Sequence, residues 1–168
     1  MPKTILDATV LINFGRVDAI DRFLTGLPTR IVVGLLVEKE VRFWPPSSNK
    51  AGQPFSLKSY VDRGILEQTE MTPTELGAFF GLKARLKLGD GETEALVIAA
   101  SRGWSVATDD GVARKKFAAH NPTVHVTGSI GLLRELVKTQ MVPRREPSDS
   151  WRSCASGEAG YPTRNCDQ

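Results

Sequence analysis

The stretch ILDATVLIN, residues 5–13, decides how this chain folds. Two apolar residues precede an aspartate, and a second apolar run follows it directly. We interpret this pattern as a short β-strand that ends at Asp7, with a helix beginning beside it. In a parallel α/β sheet, such an aspartate lies at the carboxyl end of a strand, which is where ligands bind in this class of fold.

Three further acidic residues occupy similar positions along the chain. Glu40 follows one apolar run, Asp110 follows another, and Glu92 comes just after a break that contains two glycines. Carboxylates that gather at one edge of a sheet repel one another strongly unless a cation lies among them. The sequence therefore predicts a cation-binding cluster made of Asp7, Glu40, Glu92 and Asp110.

Two of these assignments have a neighbour that competes for the same role. Glu94 lies two residues after Glu92 in the first turns of the same predicted helix, and Asp109 directly precedes Asp110. Acidic residues at a helix start are also explained by the helix dipole and by N-capping. One aspartate of the pair at 109 and 110 is therefore expected to cap the next helix, while the other faces the cleft.

Strand-like and helix-like segments alternate along the chain, which predicts a three-layer α/β/α fold with a central parallel sheet of four to five strands. Thr72 and Glu75 predict a capping box for one helix, and Asp90 is the predicted N-cap of the next. We assign residues 1–142 to this folded domain. Residues 143–168 are polar and without periodicity, so we expect them to be disordered.

Composition limits which classes of protein fit the sequence. The chain has 168 residues, of which 40% are hydrophobic, and a formal net charge of +3. No apolar run is long enough to cross a bilayer and no signal peptide is visible, so we expect a cytoplasmic protein. With two histidines and two cysteines, the chain favours a hard cation held by oxygen ligands over zinc.

Four segments, residues 5–13, 37–41, 91–96 and 107–110, occur in an order that resembles the PIN-domain family of metal-dependent nucleases. The resemblance extends over residues 2–142. It implies a catalytic set of Asp7, Glu40, Glu92 and Asp110, with Mg²⁺, or alternatively Mn²⁺, bound by Asp7, Glu92 and Asp110. Many members of the family carry aspartate at the position of Glu92.

The resemblance implies a function as well as a site. It suggests a Mg²⁺-dependent endoribonuclease of the VapC-like branch, the toxin half of a VapBC-type toxin–antitoxin pair, which is inhibited by a small antitoxin and is often a homodimer. Basic residues flanking the acidic cleft would contact RNA phosphates. The candidates for this role are Lys83, Lys87, Arg114 and Lys115.

Two other functions are compatible with parts of the pattern. The chain could be a non-catalytic PIN-like module that binds RNA or a protein, although the presence of all four acidic residues argues against a degraded site. A haloacid-dehalogenase-like phosphatase would place a second aspartate two residues after the first, and Thr9 occupies that position.

Overall fold

In the computed structural model, which describes residues 2–16, 20–41 and 56–139, five strands form one parallel sheet. Their bounds are β1 (Lys3–Leu6), β2 (Arg30–Gly34), β3 (Leu66–Thr69), β4 (Ser105–Ala107) and β5 (Val126–Thr127). The strand order is β3-β2-β1-β4-β5, and each neighbouring pair is parallel. The chain therefore changes direction across the sheet between β1 and β4, which is where ligands bind in open parallel sheets.

Eight helices accompany these strands in the described residues. They are α1 (Ala8–Arg16), α2 (Ile20–Gly26), α3 (Leu35–Val41), α4 (Lys58–Asp62), α5 (Pro73–Leu86), α6 (Asp90–Arg102), α7 (Gly111–His120) and α8 (Ser129–Lys138). The predicted capping box of α5 is confirmed. The Thr72 hydroxyl accepts a hydrogen bond from the Glu75 backbone N–H at 3.2 Å, and the Glu75 carboxylate accepts one from the Thr72 N–H at 2.8 Å.

Successive residues of the central strands pack on opposite faces of the sheet. Ile5 and Val32 are buried against α5, α6 and α7, whereas Leu6 and Val33 are buried against α1, α2 and α8. Apolar residues on both faces are typical of a parallel sheet that is covered by helices on each side. The predicted three-layer α/β/α fold is therefore confirmed, with five strands.

The predicted N-cap of α6 is wrong. Gly89, not Asp90, occupies the N-cap position, and Asp90 is the first residue of the helix. The Glu92 carboxylate accepts a hydrogen bond from the Gly89 N–H at 3.0 Å, while the Asp90 carboxylate forms an ion pair with Lys83. The bond between Gly89 and Glu92 is the return half of a capping box, which places the start of α6 one residue earlier than predicted.

The polar tail of residues 143–168, which the sequence predicts to be disordered, lies outside the described residues. Within the described part, no helix is both long enough and apolar enough to cross a membrane.

Candidate active site

Asp7 is buried at the end of β1, with 1% of its surface exposed. Its Oδ2 atom accepts hydrogen bonds from the hydroxyls of Thr9, at 2.7 Å, and Thr108, at 2.9 Å. The Asp7 backbone N–H donates to the Ala107 carbonyl at 2.9 Å, which joins the ends of β1 and β4. The Thr108 hydroxyl also accepts a bond from the Asp110 N–H at 3.1 Å, so one hydroxyl links two of the predicted acidic residues.

Asp110 is the N-cap of α7. Its Oδ1 atom accepts hydrogen bonds from the backbone N–H groups of Val112, at 2.6 Å, and Ala113, at 2.8 Å. Its Oδ2 atom accepts none from the described residues. The cap fixes the direction of the carboxylate and leaves one oxygen available to a ligand.

Asp109, the competing residue, uses both carboxylate oxygens in the fold. Oδ1 accepts from the Ser129 N–H at 2.7 Å, and Oδ2 accepts from the Ser129 hydroxyl and from the Asn13 amide at 2.6 Å. Desolvation opposes ionisation of Asp109, but these bonds and the charge of Arg114 outweigh it and hold the pKa below its usual value. Asp109 therefore joins α1 to the start of α8.

Glu40 lies near the end of α3 and contacts the start of α6. Its Oε1 atom accepts a hydrogen bond from the Gly91 N–H at 3.1 Å, and a Cβ on Gly91 would come within 3.0 Å of the carboxylate. Although Glu40 as a residue is exposed, its carboxylate end is partly desolvated. This desolvation, with repulsion from Asp7 and Asp90, raises the pKa of Glu40 despite the bond from Gly91.

The Glu94 side chain points into the fold, away from the four predicted acidic residues. It is 1% exposed, and its Oε2 atom accepts a hydrogen bond from the Leu36 N–H at 2.9 Å, at the start of α3. A Cβ on Gly34 would overlap this carboxylate, so the close approach requires glycine. Burial raises the pKa of Glu94 by more than the N–H groups of α3 lower it. Glu94 thus caps α3 from α6.

Glu92 lies in the first turn of α6, and its charge interacts with the other three predicted acidic residues. Desolvation raises its pKa, and repulsion from Asp7, Asp110 and Glu40 adds to that rise, while the bond from the Gly89 N–H opposes it. Glu92 and Glu94 therefore have different surroundings, although two positions separate them.

Each of the four predicted acidic residues retains one oxygen that accepts no hydrogen bond from the described residues. These atoms are Oδ1 of Asp7, Oε2 of Glu40, Oε1 of Glu92 and Oδ2 of Asp110. In the same part of the chain, no lysine or arginine forms an ion pair with any of them. The cluster is therefore a group of like charges without a fixed counter-charge.

The donor chemistry of this cluster fits a hard divalent cation. All available donors are carboxylate or hydroxyl oxygens, which are the ligands of Mg²⁺ and Mn²⁺. Within the described ranges, no three histidine, cysteine or acidic side chains converge closely enough to hold one ion together. Mg²⁺ retains several waters and commonly binds through one or two carboxylates, so an incomplete protein shell is compatible with it.

The structure places the four predicted RNA-binding residues in different situations. Lys83 forms an ion pair with Asp90, and Arg114 lies where its charge acts on Asp109. Lys87 is the C-cap of α5, with a left-handed backbone (φ 50°, ψ 54°), and its side chain is exposed. Lys115 is exposed on α7. Lys87, Arg114 and Lys115 are all exposed, whereas Lys83 is partly buried and held in an ion pair.

Sequence reasoning missed Thr108 as a part of the site. Its hydroxyl lies between the Asp7 carboxylate and the Asp110 backbone, and the residue is fully buried. A threonine at the end of an apolar strand is the only signal for it, because the sequence does not say which neighbouring strand its hydroxyl faces. Ser129 and Asn13, which hold Asp109, were also missed.

Comparison with known proteins supports the family expected from the sequence. The model of a family described as a PIN domain matches residues 3–148. A crystal structure of PAE2754 from Pyrobaculum aerophilum is similar, with a TM-score of 0.52 at 16% identity, over 82% of this chain and 90% of that chain. At this identity the likeness shows the fold alone. No curated protein matches the sequence.

Proposed function

Because this chain belongs to the PIN-domain family, whose members are generally nucleases, we propose that it is a Mg²⁺-dependent endoribonuclease. One observation carries the proposal. Four carboxylates from β1, α3, α6 and the start of α7 influence one another, lack a fixed counter-charge and each keep an oxygen free. Such an arrangement is destabilised by repulsion unless a cation binds, so it supports a metal site.

The roles of the residues follow from their surroundings. Asp7, Glu92 and Asp110 are the proposed metal ligands, and Glu40 orients a water. Thr108 positions two of the ligands, because its hydroxyl bonds to both Asp7 and Asp110. A bound Mg²⁺ or Mn²⁺ would supply an acidified water and neutralise charge on the phosphodiester. The four carboxylates would hold waters and accept protons, so the reaction needs no serine, cysteine or histidine nucleophile.

The proposed substrate is RNA, and the proposed role is that of the toxin in a VapBC-type pair. Lys87 and Lys115 would contact phosphates, which favours binding without strong sequence choice. The toxin role, and inhibition by a small antitoxin, derive from the resemblance to VapC-like members of the family. Growth arrest on expression, relieved by Asp7→Asn, is the expected result if the chain is a toxin.

RNA cleavage with and without EDTA tests the enzyme proposal. The wild type is expected to cleave RNA in Mg²⁺ and to lose activity in EDTA. We expect Asp7→Asn to lower the rate by about a hundredfold, since loss even of a residue that supports a metal ligand typically costs about 10–100-fold. Asp62→Asn, which removes a carboxylate from an exposed ion pair with Lys58, is the matched control. Equal cleavage by wild type and Asp7→Asn would reject the proposal.

A non-catalytic binding module is the second candidate. It is favoured by the absence, in the described residues, of three side chains that converge on one ion position. Calorimetric titration with Mn²⁺ distinguishes the two. The enzyme proposal requires heat of binding that Asp7→Asn reduces. RNA binding without Mn²⁺ binding or cleavage would favour the module.

A further inference from the structure

A polar pocket lies at the amino-terminal edge of the sheet, between the strands and α8. Its volume is about 460 Å³, within the roughly 300–1,000 Å³ that is typical of small-molecule sites. None of its lining residues is one of the four predicted acidic residues. Thr4, which lines the pocket, lies about 10 Å along β1 from Asp7. The pocket is therefore separate from the candidate active site.

Three neighbouring strands place a hydroxyl on the same face of the sheet in this pocket. Thr4 of β1 pairs in register with Ser105 of β4, and Thr127 of β5 pairs with Ala107. Because side chains alternate along a strand, the three hydroxyls are on the face that carries Leu6 and Ala107, which pack in the core. A parallel sheet covered by helices is usually apolar on both faces. The row of hydroxyls therefore interrupts the core at this edge.

The hydrogen bonds of these hydroxyls determine what a ligand must offer. The Thr29 hydroxyl, which also lines the pocket, donates its one hydrogen to the Pro2 carbonyl at 2.9 Å. The 3.1 Å bond between the hydroxyls of Thr29 and Thr4 must then use the hydrogen of Thr4. Both oxygens keep lone pairs but have no hydrogen left to donate. A partner for them must donate, as a hydroxyl group of a ligand does and a carboxylate does not.

The other two hydroxyls of the row are not used within the described part of the chain. Ser105 and Thr127 form no side-chain hydrogen bond there, so each can donate one bond and accept others. Gly131 of α8 packs directly on Thr127, and a Cβ on this glycine would overlap the Thr127 hydroxyl. The glycine therefore leaves the space that this hydroxyl occupies.

Positive side chains surround the hydroxyls. Arg134 and Lys138 of α8 line the pocket, together with His125, which precedes β5. The acidic lining residue is Glu135, and its carboxylate is held by Lys138 at 2.7 Å. Arg134 forms no ion pair with any residue that the structure describes. Its guanidinium can therefore bind an anionic group, and phosphate fits the two-point geometry of arginine well.

A ligand for this pocket needs hydroxyl donors as well as an anionic group. We propose that the pocket binds a sugar phosphate. The sugar hydroxyls donate to Thr4 and Thr29 and exchange hydrogen bonds with Ser105 and Thr127, while the phosphate pairs with Arg134. This site goes beyond the proposed nuclease activity and does not depend on it.

Calorimetric titration of the full chain with ribose 5-phosphate in EDTA tests the proposal. EDTA removes the divalent cations that could hold a phosphate at the four predicted acidic residues. We expect a dissociation constant of about 1 mM or lower. Ribose alone and inorganic phosphate should each bind at least about tenfold more weakly, because each lacks one of the two recognised groups.

Two variants locate the ligand. Arg134→Gln should weaken binding at least about tenfold, since it removes hydrogen bonds to a charged group. Arg22→Gln, which changes an exposed arginine on α2, is its matched control and should have no effect. Ser105→Ala should weaken binding about threefold, as expected for one neutral hydrogen bond. Its control is Ser59→Ala, at an exposed serine on α4. Thermal unfolding of each variant checks that the fold is retained.

Three results would overturn the proposal. Absence of binding at millimolar ribose 5-phosphate would mean that the pocket holds only water. Equal affinity for ribose 5-phosphate and inorganic phosphate would show that the hydroxyls do not recognise a sugar. Binding that survives both Arg134→Gln and Ser105→Ala would place the ligand elsewhere. RNA cleavage is measured separately, so none of these results decides the nuclease proposal.

Discussion

The two ends of α6 hold carboxylates in opposite ways. At its carboxyl end, Arg102 pairs with Glu75, which is 2% exposed, and hydrogen bonds from Arg102 lower the pKa of Glu75 to about 2. At its amino end, Glu92 and Glu40 have raised pKa values, first because of desolvation and then because of repulsion from other carboxylates. Glu75 has a built-in counter-charge, whereas Glu40 and Glu92 have none among the described residues.

The difference lies in the donors that each end supplies. The Arg102 guanidinium donates to both oxygens of Glu75, at 2.8 and 2.7 Å, and to the Thr69 hydroxyl at 2.7 Å. Charged, two-point hydrogen bonds of this kind are the strong ones in proteins. At the amino end, the donors to Glu92 and Glu40 are neutral backbone N–H groups. Neutral donors orient a carboxylate without cancelling its charge, which leaves that role to a cation.

The largest expected effect on stability comes from breaking the compensated end. Glu75→Gln leaves Arg102 without its counter-charge, and removal of one partner from a buried pair typically costs 3–5 kcal/mol. Because 23% of the Arg102 side chain is exposed, we expect a loss at the lower end of this range. The free energy of unfolding, measured with urea, should fall by about 3 kcal/mol. Glu135→Gln, which breaks the exposed pair with Lys138, should leave stability nearly unchanged. Equal effects in the two variants would contradict the comparison.

The pH dependence of stability should reflect the titration of the carboxylates at both ends of α6. Glu75 has a folded pKa of about 2 against a usual value of 4.5, so its contribution is complete above pH 4.5. This contribution, about 3 kcal/mol, is lost as the pH falls towards 2. Glu40, Glu92 and Glu94 have raised pKa values, so protonation through their folded pKa values adds stability as the pH falls towards 4.5.

Urea unfolding without divalent cations should therefore give maximum stability on the acidic side of neutrality, near or just above pH 4.5. In Glu75→Gln, most of the loss of stability below this pH should disappear. The gain in stability as the pH falls from neutrality towards the maximum should remain. A stability that falls steadily from neutral pH would show that the amino end of α6 is not strained by its charges.

The contact between Gly34 and Glu94 tests whether Glu94 belongs to the fold rather than to the cluster. In Gly34→Ala, the new Cβ overlaps the Glu94 carboxylate and displaces it from the start of α3. Overpacking of this type commonly costs 1–3 kcal/mol, and we expect about 2 kcal/mol. Gly111→Ala, where a Cβ meets nothing within 4 Å, is the control and should be close to neutral. Both variants are measured by thermal unfolding.

The sequence predicts the fold better than it predicts the site, for a physical reason. Strands β1, β2 and β4 are apolar runs that end at turn signals, so local pattern suffices to find them. The surroundings of Glu92 and Glu94 depend instead on where α3 packs against α6, and no local pattern contains that information. The wrong N-cap at Asp90 has a local cause instead, because Glu92 lies three residues after Gly89 and accepts a hydrogen bond from its N–H.

The smallest expected effect, with the most informative sign, is that of Glu92→Gln. Glutamine can accept the same hydrogen bond from the Gly89 N–H, so the substitution removes the charge and keeps the cap. The helix dipole favours a negative charge at this position. The raised pKa of Glu92 nevertheless shows that desolvation, with repulsion from Asp7, Asp110 and Glu40, exceeds the favourable interactions.

Without divalent cations, we therefore expect Glu92→Gln to stabilise the fold by roughly 0.5 kcal/mol, the opposite sign from Glu75→Gln. With Mg²⁺ the wild type should become the more stable of the two, because a bound ion stabilises the fold more when it binds more tightly, and Glu92→Gln weakens that binding. Thermal unfolding of both proteins in EDTA and in Mg²⁺ measures the two signs. A loss of stability in EDTA would mean that the dipole outweighs the repulsion, and that the amino end of α6 is an ordinary helix start.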